Sequence, residues 1–240
     1  MSRAALFTDA GVLTRICEVA QLTAHSCVLD VACGPGIVVE ALARHAGSVV
    51  ACDITPAMLA KTAHRCATAG FTNVRCTLGR AEQLPFEDAA FDAVVSRSAF
   101  HHFPDPAAAL SEMTRVCRDT RRIIIVDVIT SGQAEDAALH NALETLRDPS
   151  HVRMLPKSEL QRAVEQAGLT LEQCIEWINH REFEEWLAIT SAPERAGPLR
   201  VVMRELAQRG AAAGIGLRYE GGTIRFDHTT VLVVAVKRPV

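Results

Sequence analysis

From Ser26 onward, short β-branched apolar runs alternate with stretches of helical periodicity, and this alternation constrains the fold more than any other feature of the chain. Runs at 28–32, 49–53, 74–78, 93–96 and 123–127 are rich in Val, Ile and Ala, the composition of strands covered on both faces, and they read as the first five strands. Helices fill the gaps. A strand–helix–strand repeat of this kind closes as a parallel sheet, so the predicted class is α/β with helices on both faces.

Local signals mark the element ends. Thr55 can cap a helix whose first position is Pro56 and which Gly70 can end in the left-handed conformation; Asp105 and Pro106 repeat the device. A further helix is expected over 157–166, with Leu160, Ala163, Val164 and Ala167 on one face and Gly168 closing it, followed by a strand from Leu171. Two more helices are expected at 182–189 and 194–209. Alternating residues from Leu217, a turn at Gly221-Gly222 and a last strand at 231–236 predict an antiparallel C-terminal hairpin. The sheet then has seven strands. Before it, Ala5, Leu6, Val12, Leu13, Ile16, Val19 and Ala20 are spaced for an amphipathic helix, read as packing on the sheet, with a lid over a ligand as the alternative.

The length of 240 residues suits one domain, expected as an N-terminal helical cap (1–25), a cofactor-binding core (26–130) and a substrate-side part with the last strands (131–240). Apolar residues at 49% and charged ones at 22% supply a sizeable core, and the net charge of -3 offers no field for phosphate backbones, so nucleic acid is not an expected partner. Eight scattered cysteines without a CxxC pair read as reduced thiols. The N-terminal residues lack the apolar stretch of a signal peptide, and no segment is apolar enough to span a bilayer; the expectation is a cytoplasmic protein without a membrane partner, with a homodimer left open.

The chemistry concentrates in VLDVACGPG, residues 28–36, where a buried strand ends in Asp30, passes Ala32 and bends through Gly34 and Gly36 into a helix. Two glycines allow a sharp turn and close approach of backbone to a ligand. Alone, that is a weak signal. Asp53, ending the second strand in VVACDITPAML, strengthens it, because a carboxylate there accepts hydrogen bonds from both hydroxyls of a ribose, each worth about 1.5–3 kcal/mol. A nicotinamide enzyme would carry a third glycine where this chain has Val39. With Asp30 two residues before Ala32, the pattern favours S-adenosylmethionine over NAD.

These segments, with GRAEQLPF, FDAVVSRSAFHHFPDP and LRDPSHVR, resemble in content and order the class I methyltransferases that act on small molecules, whose motifs read LDVACGTG, VxGxDxTPxML, GDAExLPF, FDxVxxRxAxHHFxDP and RDPSHVR. The resemblance runs from about Leu29 to Gly168. It implies a three-layer Rossmann-like methyltransferase fold, mostly parallel, that binds S-adenosylmethionine, releases S-adenosylhomocysteine and methylates O, N or C of a small metabolite. It also implies a cofactor site at the carboxyl ends of the strands. There Asp30, Ala32, Gly34 and Gly36 flank the methionyl part, Asp53 takes the ribose, Ile54 and Met58 pack on the adenine, Ala81 and Glu82 line its edge, and Ser96 and Arg97 close the site. Alternatives on the same fold are a cyclisation, an elimination or a non-catalytic scaffold.

Three positions depart from the family pattern. Arg80 stands where an Asp often binds the adenine amino group, leaving that contact to Glu82 or to backbone. Ala32 replaces a glycine, at little cost provided its backbone angles are ordinary. Asp119-Thr120-Arg121 replaces a Pro-Gly-Gly turn, which must then be built differently.

Methyl transfer is a displacement that gains most from positioning, and a hydroxyl or amine acceptor also needs a base. His102, His101 and His151 are the candidates, the first two just past the fourth strand. Arg97, Asn141, Glu144, Arg147, His151 and Arg153 resemble the family's substrate-side positions and read as a polar network that either binds a polar or anionic substrate or locks the RDPSHVR loop. A capped turn explains Asp148, Pro149 and Ser150. His25, His45, His64 and His180 read as surface or structural. Without HExxH or paired cysteines, no metal site is expected. Phe183, Trp177, Trp186 and Tyr219 are assigned to core packing, with a pocket for a flat substrate as the alternative.

Overall fold

The computed structural model describes residues 9–189 and 193–238. In chain order the elements are α1 (Asp9–Ala20), β1 (Cys27–Val31), α2 (Ile37–Ala43), β2 (Ser48–Asp53), α3 (Pro56–Thr68), β3 (Val74–Leu78), β4 (Phe91–Arg97), α4 (Pro106–Val116), β5 (Cys117–Ile129), α5 (Ala134–Arg147), α6 (Lys157–Gln166), β6 (Leu169–Glu182), α7 (Phe183–Ala188), α8 (Pro193–Gln208), β7 (Arg218–Glu220) and β8 (Thr223–Lys237). The chain divides into two compact units. One is built from the residues up to Asp127 with Gln161–Ile175 and the chain from Leu232; the other comprises Val128–Leu160 and Glu176–Val231.

The sheet has eight strands where seven were expected, in the order β3-β2-β1-β4-β5-β8-β6, with β7 pairing antiparallel with β8 as the eighth. β1, β2, β3, β4 and β5 pair in parallel. Their burial explains the sequence: Val28, Leu29, Val49, Ala51, Val94, Val95, Ile123 and Ile124 are all excluded from water because helices cover both faces. The chain runs outward from β1 to β3 and returns on the other side of β1 with β4. That reversal opens a crevice at the carboxyl ends of β1 and β4, where open α/β sheets bind ligands.

Most predicted boundaries hold within two residues, but β5 begins at Cys117 rather than 123 and β8 at Thr223 rather than 231. α6 occupies the expected residues, Asp105 caps α4 by accepting from the N–H of Ala108 at 2.9 Å, and Gly221-Gly222 turns the β7–β8 hairpin. Thr55 is the N-cap residue of α3, but its side chain makes no capping bond; the Asp53 carboxylate accepts from the Thr55 N–H instead, at 2.8 Å. α1 packs Val12, Ile16, Val19 and Ala20 into the first unit, whereas Ala5 and Leu6 lie outside the described residues. All eight cysteines carry free thiols. No described helix is long and apolar enough to cross a membrane.

The second unit has its own core of Leu143, Phe183, Trp186, Leu199, Met203, Ile215, Ile224 and Phe226, so Phe183 and Trp186 are packing residues as expected. Trp177 is buried as well, and Tyr219 is exposed.

Asp119-Thr120-Arg121 makes no tight turn. The segment runs straight into β5, and the register against β4 jumps from Phe91↔Cys117 to Ala93↔Arg122, a bulge that places Thr120 at φ +62°. A β-branched residue in the left-handed region costs about 1–2 kcal/mol, and the side chain of Thr120 is exposed, with no packing to compensate. Thr120→Gly is therefore expected to raise the melting temperature by about 2–4 °C, the shift that about 1 kcal/mol produces in a chain of this size. Calorimetry on the two proteins checks it, and an unchanged or lower midpoint would remove the strain assignment.

Candidate active site at the carboxyl edge of the sheet

The loop after β1 is shaped by the elements around it. Ala32, Gly34 and Gly36 all have positive φ, +55°, +54° and +82°. For Ala32 this overturns the expectation of ordinary angles: the substitution of alanine for glycine is strained here, by about 1–2 kcal/mol. α3 straps the loop down. Thr62 Oγ1 donates to the Gly34 carbonyl at 2.8 Å, and Arg65 Nε donates to the Pro35 carbonyl at 2.9 Å. A Cβ on Gly36 would meet the Thr62 side chain at 2.8 Å, whereas a Cβ on Gly34 would meet nothing within 4 Å. Gly36 is thus required by packing, and Gly34 faces open space.

Asp53, at the carboxyl end of β2 and buried, accepts from Gly34 N–H at 2.9 Å through Oδ2 and from Thr55 N–H at 2.8 Å through Oδ1. Each carboxylate oxygen keeps a second lone pair. Beside Asp53, Ile54 is 59% exposed, an apolar side chain held at the rim of the site, with Met58 half-buried one turn into α3.

Three buried side-chain oxygens here have no hydrogen-bond partner: Asp30 Oδ2, Glu82 Oε1 and Ser96 Oγ. An unsatisfied buried polar atom costs about 1–3 kcal/mol, and native proteins keep few of them. All three belong to residues assigned to the cofactor site from sequence. Register places two at equivalent depth, since Asp30 pairs with Val95 across β1–β4 and Ser96 follows. Glu82 lies 3.8 Å from Arg80, and Ala81 between them is buried. Donors on a polar cofactor would satisfy these oxygens. Arg97, ending β4, lowers the Asp30 pKa by its charge, but burial dominates, with Asp53 adding to it, and the Asp30 carboxyl is pushed up to about 8.

After β4, Ser98 has φ +53°, and its N–H donates to the Val126 carbonyl at 2.7 Å. A 3-10 turn, Phe100–His102, follows. The geometry sets the two histidines apart. His101 Nδ1 lies 2.6 Å from Asp127 Oδ1, and its backbone N–H donates to Asp127 Oδ2 at 3.1 Å. Asp127, at the end of β5, is buried and was read from sequence only as a strand residue. His102 lies with its ring centroid 4.2 Å from that of His101, and its backbone N–H donates to the Ala99 carbonyl. The carboxylate fixes His101 in the tautomer with Nδ1–H, which puts the lone pair on Nε2.

Of the expected polar network, Asn141, Glu144, Arg147 and His151 lie in the second unit and are bonded there, while Arg97 belongs to the first unit. Asn141 donates to the carbonyls of Ala137 and Met154 at 3.0 and 3.2 Å, and its Oδ1 accepts from Met154 N–H at 2.7 Å and meets His151 Nε2 at 2.9 Å. Glu144 Oε2 accepts from Arg147, whose Nη1 also reaches the Trp186 carbonyl, and Oε1 accepts from the Trp186 indole at 3.2 Å. The Arg147 guanidinium stacks on the Trp186 ring at 4.7 Å. Asp148 Oδ1 accepts from Ser150 N–H and Oγ, the expected capped turn. Arg153 stands apart from this cluster, forked onto Glu159 at the surface. Glu144 is held ionised well below the usual carboxylate range, at about 2, by His228, Arg147 and His140 against its burial, and burial pushes His140 down to about 3. His140 and His228 are buried partners that sequence reading did not single out.

A parallel sheet reversing at β1, with a glycine loop and an acid on the next strand, defines a Rossmann-like enzyme architecture for an adenosine-containing cofactor. The comparisons carry this to a family. Residues 29–125 match the model of the methyltransferase domain family. The uncharacterised protein YafE of Escherichia coli is 35% identical over 63% of this chain and 73% of its own length. The crystal structure of YcgJ from Bacillus subtilis, an uncharacterised methyltransferase, superposes with a TM-score of 0.88 at 28% identity, covering 95% of this chain and 98% of that one. A candidate methyltransferase from Bacillus halodurans gives 0.85 at 30% identity, over 95% and 99%. The chain belongs to the class I S-adenosylmethionine-dependent methyltransferases.

The raised Asp30 pKa sets a pH dependence. Its native pKa of about 8 lies above the unfolded value of 3.8, so between these pH values the folded state holds a proton that the unfolded state has lost. Stability therefore falls as pH rises from about 4 to about 8 and levels above that. Asp30→Asn is expected to match the parent near pH 4 and to exceed its stability by a few kcal/mol near pH 9, read as urea midpoints; parallel pH curves for the two proteins would sink the assignment.

Proposed function

We propose that the protein transfers the methyl group of S-adenosylmethionine to O, N or C of a small metabolite in the cytoplasm, with Asp53 as the ribose acceptor and His101 as the base. The observation that carries this reading is the set of unpartnered buried oxygens on Asp30, Glu82 and Ser96, around a loop whose Gly34 faces open space. Scaffold proteins gain nothing from such atoms, whereas a polar cofactor satisfies them.

When bound, the cofactor supplies an electrophilic methyl carbon on a sulfonium. The chain's own residues do the rest. Asp53 accepts the ribose hydroxyls through its second lone pairs while its first pair holds the loop in place. Asp30, Ala32, Gly34 and Gly36 flank the methionyl part, Ile54 and Met58 cover the adenine, Ala81 and Glu82 bind its edge, and Ser96 and Arg97 close the site. Asp127 orients His101, whose Nε2 takes the proton of a hydroxyl or amine acceptor, and the resulting imidazolium is stabilised by the Asp127 charge 2.6 Å away. His102 packs against that ring as its support. Acceptor recognition is assigned to the segment 131–240, where Asn141, Glu144, Arg147 and His151 hold the RDPSHVR loop in place.

Calorimetric titration with S-adenosylhomocysteine, with NADH as control, is the direct test. Micromolar binding of the first alone is expected, and Asp53→Ala should weaken it by about tenfold or more, the value of one lost charge-assisted bond. Silence with both ligands would move the chain to the scaffold reading. With an acceptor found by screening for S-adenosylhomocysteine release, His101→Gln and Asp127→Asn should each lower kcat by about 10²-fold or more at unchanged cofactor affinity. A kcat equal to the parent's in both would exclude the dyad.

A further inference from the structure

The second unit contains a cluster of which the methyltransferase reading uses Glu144 alone, leaving His140 and His228 without a role. His140 and Glu144 stand one turn apart on α5, and His228 comes from β8. All three are buried, at 2%, 3% and 5% exposure. Three of the cluster's nitrogens, both of His140 and Nε2 of His228, have no hydrogen-bond partner. His228 Nε2 lies only 3.1 Å from Glu144 Oε1, yet the two are not aligned for a hydrogen bond, and His140 Nε2 lies 3.9 Å from the same oxygen. Both Nε2 atoms thus face the same carboxylate oxygen. A ligand atom from each residue falls within 4.8 Å of the other two.

We propose that His140, Glu144 and His228 form a binding site for a divalent transition-metal cation of the zinc type. Two imidazoles and one carboxylate are the donor set such ions take, with bonds of about 2.0–2.2 Å, and a spread of 4.8 Å between donors needs only a small closing movement to reach that radius. A metal satisfies one unpaired nitrogen on each histidine, and each such atom otherwise costs about 1–3 kcal/mol. The surroundings supply the outer contacts of a metal carboxylate. Arg147 holds Glu144 Oε2, leaving Oε1 turned to the imidazoles, and the Trp186 indole donates to Oε1 at 3.2 Å. Such outer bonds fix a ligand's orientation. The His140 and His228 rings lie 5.4 Å apart at their centroids, tilted by 33°, and Phe226 and Trp186 pack around them as a dry shell. The site clamps α5 to β8, and three protein ligands leave a fourth position for water.

The experiment uses the full chain, stripped with a chelator and retitrated with Zn²⁺ and with Co²⁺. The expected result is one equivalent of Zn²⁺ bound with micromolar or tighter affinity against a chromophoric competitor, a rise in melting temperature, and the visible absorption of low-symmetry Co²⁺ with nitrogen ligands. His140→Leu and His228→Leu, each removing a ligand along with its unpaired nitrogens, should weaken Zn²⁺ at least a hundredfold and abolish the Co²⁺ bands while the far-UV circular dichroism stays that of the parent. Exposed His25, His45, His64 and His180 provide the control, since binding that survives both variants is surface binding and overturns the site. If the variants do not fold, the parent decides alone, because a stripped chain that neither binds Zn²⁺ below millimolar concentration nor gains stability from it refutes the proposal. The test reads metal binding without turnover, so its failure leaves the cofactor reading untouched.

Discussion

The Asp53 carboxylate is the interaction on which the site depends. Its two oxygens take the N–H groups of Gly34 and Thr55, so one buried charge joins the loop after β1 to the start of α3 across the edge of β2. A residue with only one acceptor oxygen would leave one of these two backbone donors unpaired. The same α3 then returns to the loop through Thr62 and Arg65, which bind the carbonyls of Gly34 and Pro35. The loop is consequently formed before any ligand arrives, and the ordering entropy of a flexible loop is not charged to binding.

Strain and unsatisfied polarity gather at the same edge. Ala32 and Ser98 leave β1 and β4 in the left-handed region, and Asp30, Glu82 and Ser96 keep buried oxygens without donors. Such features persist only where the surrounding fold over-determines them, and they are common at ligand sites. Here the sheet does the over-determining, because β1 and β4 are hydrogen-bonded on both sides and their side chains are sealed by helices. Thr120 shows that strain alone is not a marker of function: its left-handed angle comes from a bulge that replaces a glycine turn at the entrance to β5.

The RDPSHVR segment is held by an internal hydrogen-bond network. Asn141 and Glu144 spend their hydrogen bonds on Ala137, Met154, His151, Arg147 and Trp186. Of the residues read as facing a substrate in this segment, Arg153 alone sits at the surface, with Glu159.

The sequence by itself determined the parallel sheet, the order of its elements, the glycine loop and Asp53. Each of these is written in contiguous residues, and burial on both strand faces leaves a Val and Ile signature that needs no distant partner to be read. It also determined that Asp30, Glu82 and Ser96 end up at one edge, since every strand of a parallel sheet points its carboxyl end the same way. Tertiary structure alone decided that His101 meets Asp127, because the two sit on different strands' exits, and a spacing of 26 residues carries no local signal. It decided the left-handed backbone of Ala32, which no propensity fixes. It decided, too, that His228 joins His140 and Glu144, because a ligand set split between a helix and a distant strand has no period for a sequence to show.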